Sequence, residues 1–282
     1  MNSLFFKSRG GSPLITPRAL FGILLSVLLF GISTSFLPKP EFKEKNLEIW
    51  MFQEDFYSFG KRDVYEALTK TWITELKQAI APEELMTMVA IQSRTSPEFV
   101  YMTPLGRFAT LDTYLDYTNR IIQKLGPEIA KKQQEAWVST LNFQTYSLLA
   151  YMPFLSCVPL NSNPSVPYRP YVHYYIVAVT PGQVGYFEDY LERQVSKHNQ
   201  EGEMVCWRVW KMLFGSDVPK YVIALFSRSE EELKKHNDQL DLTDPRLADV
   251  VRREREGRGI LRRDLSIIPI ASKPPDLEVN KP

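Results

Sequence analysis

Residues that commonly carry chemistry are scarce in this chain. It has two cysteines, Cys157 and Cys206, which excludes a disulfide framework and any cysteine-rich zinc site. The pair is open to two readings, a single bridge in an oxidising compartment or two small buried hydrophobes. The three histidines, His173, His198 and His236, are scattered, with no H-x-x-x-H or H-E spacing, and do not form a zinc signature. No G-x-S-x-G, phosphate-binding loop or dinucleotide fingerprint occurs. Charge of one sign is lacking too. With 34 basic and 33 acidic residues there is no field to attract nucleic acid, so no nucleic-acid partner is expected. What remains is an ordinary globular make-up, 44% hydrophobic and 24% charged, long enough for one large core or two small ones.

The first forty residues differ from the rest. Lys7, Arg9 and Arg18 precede an uncharged run from Ala19 to Leu37, and no acidic residue occurs before Glu41. That is the layout of an export signal, with Ser33 and Ser35 as small residues for cleavage and Pro38 and Pro40 ending any helix. The run also reaches the lower limit of a membrane-spanning helix, so residues 1–40 are read as either a signal peptide or a membrane anchor through residues 19–37. A basic mitochondrial transit peptide is a lesser alternative. Lys39, Lys43 and Lys45 follow the run, so positive charge does not fix orientation. The soluble part is expected outside the cytoplasm, secreted, periplasmic or held at a membrane, because long domains translocate largely regardless of such charges.

Past Pro40 the sequence repeats itself. A strand-like run opens each half, LEIWMFQED from Leu47 and VHYYIVAV from Val172, rich in aromatic and β-branched residues. A helix follows each: Gly60 to Ala79, with Val64, Leu68, Trp72 and Leu76 on its apolar spacing, and Val184 to His198, with Phe187, Tyr190, Leu191 and Val195. Pro181-Gly182 marks the turn into the second. Two strands come next in each half, Met86–Ser93 then Phe99–Pro104, and Met204–Leu213 then Tyr221–Phe226. A second helix follows, Leu111–Leu125 or Ser229–Leu240, the latter with Ser229 as N-cap and Glu232 three residues on. The closing strands are placed at Asn142–Tyr151 and Asp264–Ala271. The order β-α-β-β-α-β in each half predicts an α+β protein of two tandem ferredoxin-like units, residues 42–152 and 171–272, packed as an α+β barrel. Residues 153–170, with five prolines, read as the linker, and residues 273–282 as a disordered tail. The arginines of Asp241–Arg263, among them Arg252, Arg253, Arg255 and Arg258, read as a solvated face or as a phosphate or headgroup site.

The strand ending in T-P-G-Q-V-G-Y-F-E-D-Y-L at Thr180–Leu191 resembles the opening of the dimeric α+β barrel superfamily. Its tandem arrangement is similar to NIPSNAP-like proteins and, more distantly, to the chlorite dismutase group. The resemblance covers about Leu47 to Ala271. It implies two four-stranded sheets packed face to face around a pocket. It implies no single activity, since such folds include monooxygenases, haem enzymes and proteins without established catalysis.

Site candidates lie on the strands. Arg208, Trp210, Arg94, Tyr101 and His173 form the expected ligand-binding set, with Trp50, Trp207 and Tyr221 as further large aromatics. Together they predict either an aromatic cavity that takes a small apolar or anionic ligand, or inter-sheet core with arginines at its rim. Strand alternation puts Arg208 and Trp210 between the sheets and Trp207 and Val209 under the helices, with Glu48 and Glu54 as carboxylates able to meet Arg208. No metal site is expected. No cofactor is expected either, although a haem needs only one axial histidine and His173 is the candidate. Two functional classes follow: a non-catalytic ligand-binding or assembly protein, or a barrel oxidoreductase that is haem-dependent or cofactor-free. Homo-oligomerisation is left open.

Overall fold

The computed structural model describes residues 47–107, 111–157, 169–201, 207–214, 219–237, 240 and 242–267. The apolar run Ala19–Leu37, Cys206 and the tail from residue 268 lie outside them. Among the described residues no helix is long and apolar enough to cross a membrane.

Among the described residues, eight antiparallel strands and five α-helices make an α+β fold. The first half runs β1 (Ile49–Tyr57), α1 (Arg62–Ala79), β2 (Val89–Ser93), β3 (Glu98–Gly106), α2 (Leu111–Leu125), α3 (Pro127–Val138) and β4 (Leu141–Tyr151). The second runs β5 (Tyr171–Val179), α4 (Val184–Glu201), β6 (Trp207–Met212), β7 (Lys220–Ser227), α5 (Glu230–Asn237) and β8 (Val251–Leu261). The strands close into a barrel in the order β1-β3-β2-β8-β5-β7-β6-β4, so each half supplies a contiguous four-stranded sheet. Pairing within a half is long: β1 meets β3 and β4, and β5 meets β7 and β8, over eight or nine residues each. Two short seams join the halves. One is β2 with β8 at Ile91–Ser93 and Gly259–Leu261, and the other is β4 with β6 at Leu149–Tyr151 and Trp210–Met212.

Strand alternation divides the side chains into three clusters. The lumen holds Trp50, Phe52, Val100, Met102, Leu149, Val172, Tyr174, Trp210, Val222 and Phe226. The opposite faces of the strands meet the helices, in one cluster per half. In the second half Phe187, Tyr190 and Leu191 are fully buried, as the α4 spacing predicts. The turn before α4 uses Gly182 at φ +85°, a conformation that costs glycine nothing. Ser229 caps α5 by accepting from the Glu232 amide at 3.1 Å, and the Glu232 carboxylate accepts in return from the Arg228 amide.

Three sequence expectations are corrected. The last strand is β8 at Val251–Leu261, not Asp264–Ala271, so the arginine-rich stretch that precedes the expected strand is itself a barrel strand. The charged side chains hid its period, because outward positions carry arginine and glutamate while Gly257 and Gly259 leave inward positions without a side chain. Helix α3, opened by Pro127 behind Gly126, has no counterpart among the described residues of the second half and is not expected from the repeat. On α1 the buried residues are Tyr65, Thr69, Ile73 and Leu76, while Val64 is exposed. The register is set by Tyr65, whose hydroxyl donates to the buried Asp55 carboxylate at 2.5 Å.

Candidate functional site

The lumen is the natural place to look for a site, and it is nearly full. Trp210 is its hub, with ring centroids 5.8 Å from Trp50, 5.5 Å from Phe52 and 5.8 Å from Tyr151. The remaining cavity is about 30 Å³, lined mainly by Phe52, Ile91, Met102, Leu149 and Tyr174. That is room for one or two water molecules.

Polar groups enter the lumen at two levels. Toward the start of β1, Arg208 is 2% exposed and lies 5.6 Å from the Phe226 ring centre, as alternation predicts. Of the two carboxylates proposed for it, Glu48 is the one within electrostatic reach. Burial raises the Glu48 pKa above the ordinary carboxylate value, and the Arg208 charge opposes that rise. Arg208→Met is expected to destabilise the fold at pH 7 by about 2 to 3 kcal/mol, because a half-buried carboxylate then loses its counter-charge. The raised Glu48 pKa fixes the sign. Its charged form is penalised in the folded state, so the mutant's deficit shrinks as pH falls toward 4 and the carboxylate takes up a proton. Thermal melts of wild type and variant at pH 7 and pH 4 check this, and an equal deficit at both values would contradict it.

Toward the end of β1 lies a network that the sequence reading missed. Glu98 is fully buried, accepts a hydrogen bond from the Tyr174 hydroxyl, and lies 3.7 Å from the Arg255 guanidinium. Arg255 also pairs with Glu54, which accepts from the Thr145 hydroxyl at 2.9 Å. The guanidinium sits near the faces of both Phe56 and Tyr174. Glu54 therefore belongs to Arg255 rather than to Arg208. Burial, followed by the Glu98 charge, pushes the Tyr174 hydroxyl well above the usual phenol range, so it remains a donor at physiological pH.

The other expected site residues are not in the lumen. Tyr101 lies on the helix side of β3, its hydroxyl 2.7 Å from that of Tyr65, in a network that also holds Asp55, Gln53 and Gln144. Trp207 donates to the Leu155 carbonyl at 2.9 Å, and Tyr221 donates to Glu188 at 2.5 Å beneath α4. His173 faces outward on β5, its Nε2 2.7 Å from Glu256 and its Nδ1 3.3 Å from the Tyr175 hydroxyl. A haem does not fit on these observations: the cavity is far smaller than a porphyrin, and the candidate axial nitrogen is engaged by a carboxylate on the other face of the strand. His198 is likewise packed against the Trp207 ring, centroids 5.2 Å apart. Among the described residues no cluster of three metal-ligating side chains occurs.

Arg94 leads to a different place. It follows β2 and, with Thr95, Tyr171, Lys234 and Arg258, lines an outer cleft of about 290 Å³ at the β2–β8 seam, beside the start of α5. Arg94 pairs with Glu230 across the cleft, and its amide donates to the Arg258 carbonyl at 2.7 Å. Lys234 and Arg258 make no ion pair among the described residues. The cleft thus holds three cations against one carboxylate. It is of ligand size, unlike the lumen, and it is open to solvent.

No protein-family model matches the chain, and no curated protein sequence matches it. Solved structures do. A candidate monooxygenase from Fusobacterium nucleatum subsp. nucleatum aligns with a TM-score of 0.53 at 10% identity, covering 77% of this chain and 93% of its own. A haem-binding protein from Thermus thermophilus aligns at 0.48 and 16% identity, covering 82% and 96%. Chlorite dismutase from Candidatus Nitrospira defluvii aligns at 0.46 and 10% identity, covering 77% and 92%. These are likenesses of fold alone.

Proposed function

We propose that this protein is a non-catalytic binding protein that takes a small organic anion in the outer cleft of Arg94, Lys234 and Arg258, and that its N-terminal segment delivers it to or across a membrane. The observation that carries this reading is the contrast between a lumen with room for one or two waters and an exterior cleft of about 290 Å³ with uncommitted cations. A catalytic pocket in this fold needs open space beside reactive groups, whereas here the luminal charges lie against one another, Arg255 with Glu54 and Glu98 and Arg208 with Glu48. Two cations without carboxylate partners, beside an aromatic edge, suit a flat or compact dianion bearing phosphate or paired carboxylates. The NIPSNAP-like resemblance of the tandem repeat is part of the same proposal, being compatible with a barrel that has no established catalysis.

Calorimetric titration of the full chain with inorganic pyrophosphate and with citrate tests the site. Binding in the micromolar to low millimolar range is expected, with at least a tenfold loss in the Lys234→Gln/Arg258→Gln double variant and none in Arg208→Met. No binding of either anion, or binding indifferent to the double variant, overturns the proposal. A Soret band on haemin titration that is lost in His173→Ala would favour the oxidoreductase reading instead.

A further inference from the structure

Each half of the chain sends the residues after its last strand into the other half. Past β4, Met152 to Cys157 lie along β6 of the second half, and past β8, Arg262 to Ile267 lie along β2 of the first. Both arms make one 3-10 turn, Pro153–Leu155 and Arg263–Leu265, and then run on through a serine to an apolar residue. Their sequences, MPFLSC and RRDLSI, have the Leu-Ser pair in common and little else.

The bonds are the same in both places. The Arg262 amide donates to the Ala90 carbonyl at 2.8 Å, and the Ala90 amide donates to the Ser266 hydroxyl oxygen at 3.0 Å. In the other half the Met152 amide donates to the Val209 carbonyl at 2.9 Å, and the Val209 amide to the Ser156 hydroxyl oxygen at 2.9 Å. Each serine donates back within its own arm, to the Arg262 carbonyl at 2.7 Å or the Met152 carbonyl at 2.8 Å. One hydroxyl thus satisfies a buried strand amide and holds the turn that brings it there. A backbone bridge ends each arm, Ile267 against Met88 and Cys157 against Trp207. Leu155 and Leu265 are fully buried, each in the core cluster of the half that receives it.

We propose that the edges of β2 and β6 are peptide-binding sockets for a short segment ending Leu-Ser-apolar, and that their reciprocal occupation is the clasp that holds the two halves together. Two marks are read, a leucine buried under the host's helices and a hydroxyl that meets a strand amide. Flanking groups make the sockets distinct. Arg262 and Asp264 meet Glu66 at 2.9 Å and Lys70 at 3.0 Å on α1, whereas the uncharged arm has the Trp207 indole donating to its Leu155 carbonyl at 2.9 Å. An arm in the wrong socket leaves those charges or that indole without a partner, so each socket takes its own arm.

A protease site inserted between Ser162 and Asn163 of the full chain lets the covalent tie be cut after folding. The pieces 1–162 and 163–282 are expected to stay together in mild detergent, with a Kd of about 1 µM or tighter by sedimentation. Ser156→Ala and Ser266→Ala each orphan one strand amide and are expected to weaken the association about tenfold, and together about a hundredfold, because the sockets lie on opposite seams. Amide exchange of the uncut variants locates the effect. Ser266→Ala should quicken exchange around Ala90 and leave Val209 as in wild type, and Ser156→Ala should do the reverse. Wild-type pieces that separate on cutting overturn the proposal. So do serine variants that hold as tightly as wild type or that loosen both seams alike, because the halves are then joined by the strand ladders and the lumen.

Discussion

Arg255→Met is expected to cost about 3 kcal/mol of stability, a melting temperature lower by roughly 10 °C for a chain of this size. Arg255 is the cation shared by Glu54 and the fully buried Glu98. Methionine keeps most of its volume and removes its charge. Two carboxylates then face each other across the end of the lumen, and Glu98, with no exposure, has no water to fall back on. The Tyr174 hydroxyl still donates to Glu98, but one neutral hydrogen bond does not offset a buried charge. The double variant Arg255→Met/Glu98→Gln should regain most of the loss, since the amide accepts from Tyr174 without a charge to satisfy. Denaturant melts of the single and double variants measure the coupling. A loss below about 1 kcal/mol in Arg255→Met, or no recovery in the double variant, would show that the network is solvated rather than buried.

The second large effect is expected at Gly257. A Cβ built there overlaps the far end of the Tyr174 ring, well inside van der Waals contact. A tyrosine tip can often swing aside, but this one is held by its bond to Glu98 and by the Arg255 guanidinium over its face. Gly257→Val must therefore displace the ring, lose the bond to Glu98, and strain the lumen, at a cost of about 3 to 4 kcal/mol. In a Tyr174→Leu background the same substitution should cost under about 1.5 kcal/mol, because a shorter side chain leaves space for the new methyls. An equal cost in both backgrounds would place the strain in the β8 backbone and falsify the packing account.

The architecture was legible where hydrophobic period and turn residues agreed. Strand β5, α4 and β7 lie close to where their sequences place them, and the inward direction of Arg208 and Trp210 follows from simple alternation. Strand β8 was not legible, because the outward positions carry alternating charges and the inward ones two glycines, so neither face shows an apolar period. The same misreading hid the Arg255–Glu98–Tyr174 network, since an arginine assigned to a solvated face is never matched with a lumen. Gly257 and Gly259, two residues apart in a run otherwise full of large side chains, are the signal that could have marked β8 as a strand under close approach. Of the expected ligand set, Arg208 and Trp210 share the lumen, whereas Tyr101 and His173 occur on the odd positions of β3 and β5, which face the other way.

The brevity of the β2–β8 seam gives the outer cleft a second meaning. Each sheet of four is fastened internally along most of its length, while the strand ladders joining the halves span three residues on either side, extended at the β2–β8 seam by the Arg94–Arg258 backbone bond and the Met88–Ile267 bridge. Arg94 stands on one lip of that stitch and Arg258 and Gly259 on the other. If the proposed anion is gripped from both lips, it would act as a rivet, since it would bind the closed barrel and have no equivalent site once the lips part. Its concentration would then set how often the barrel gapes, making the occupied cleft a measure of supply read out as mechanical tightness.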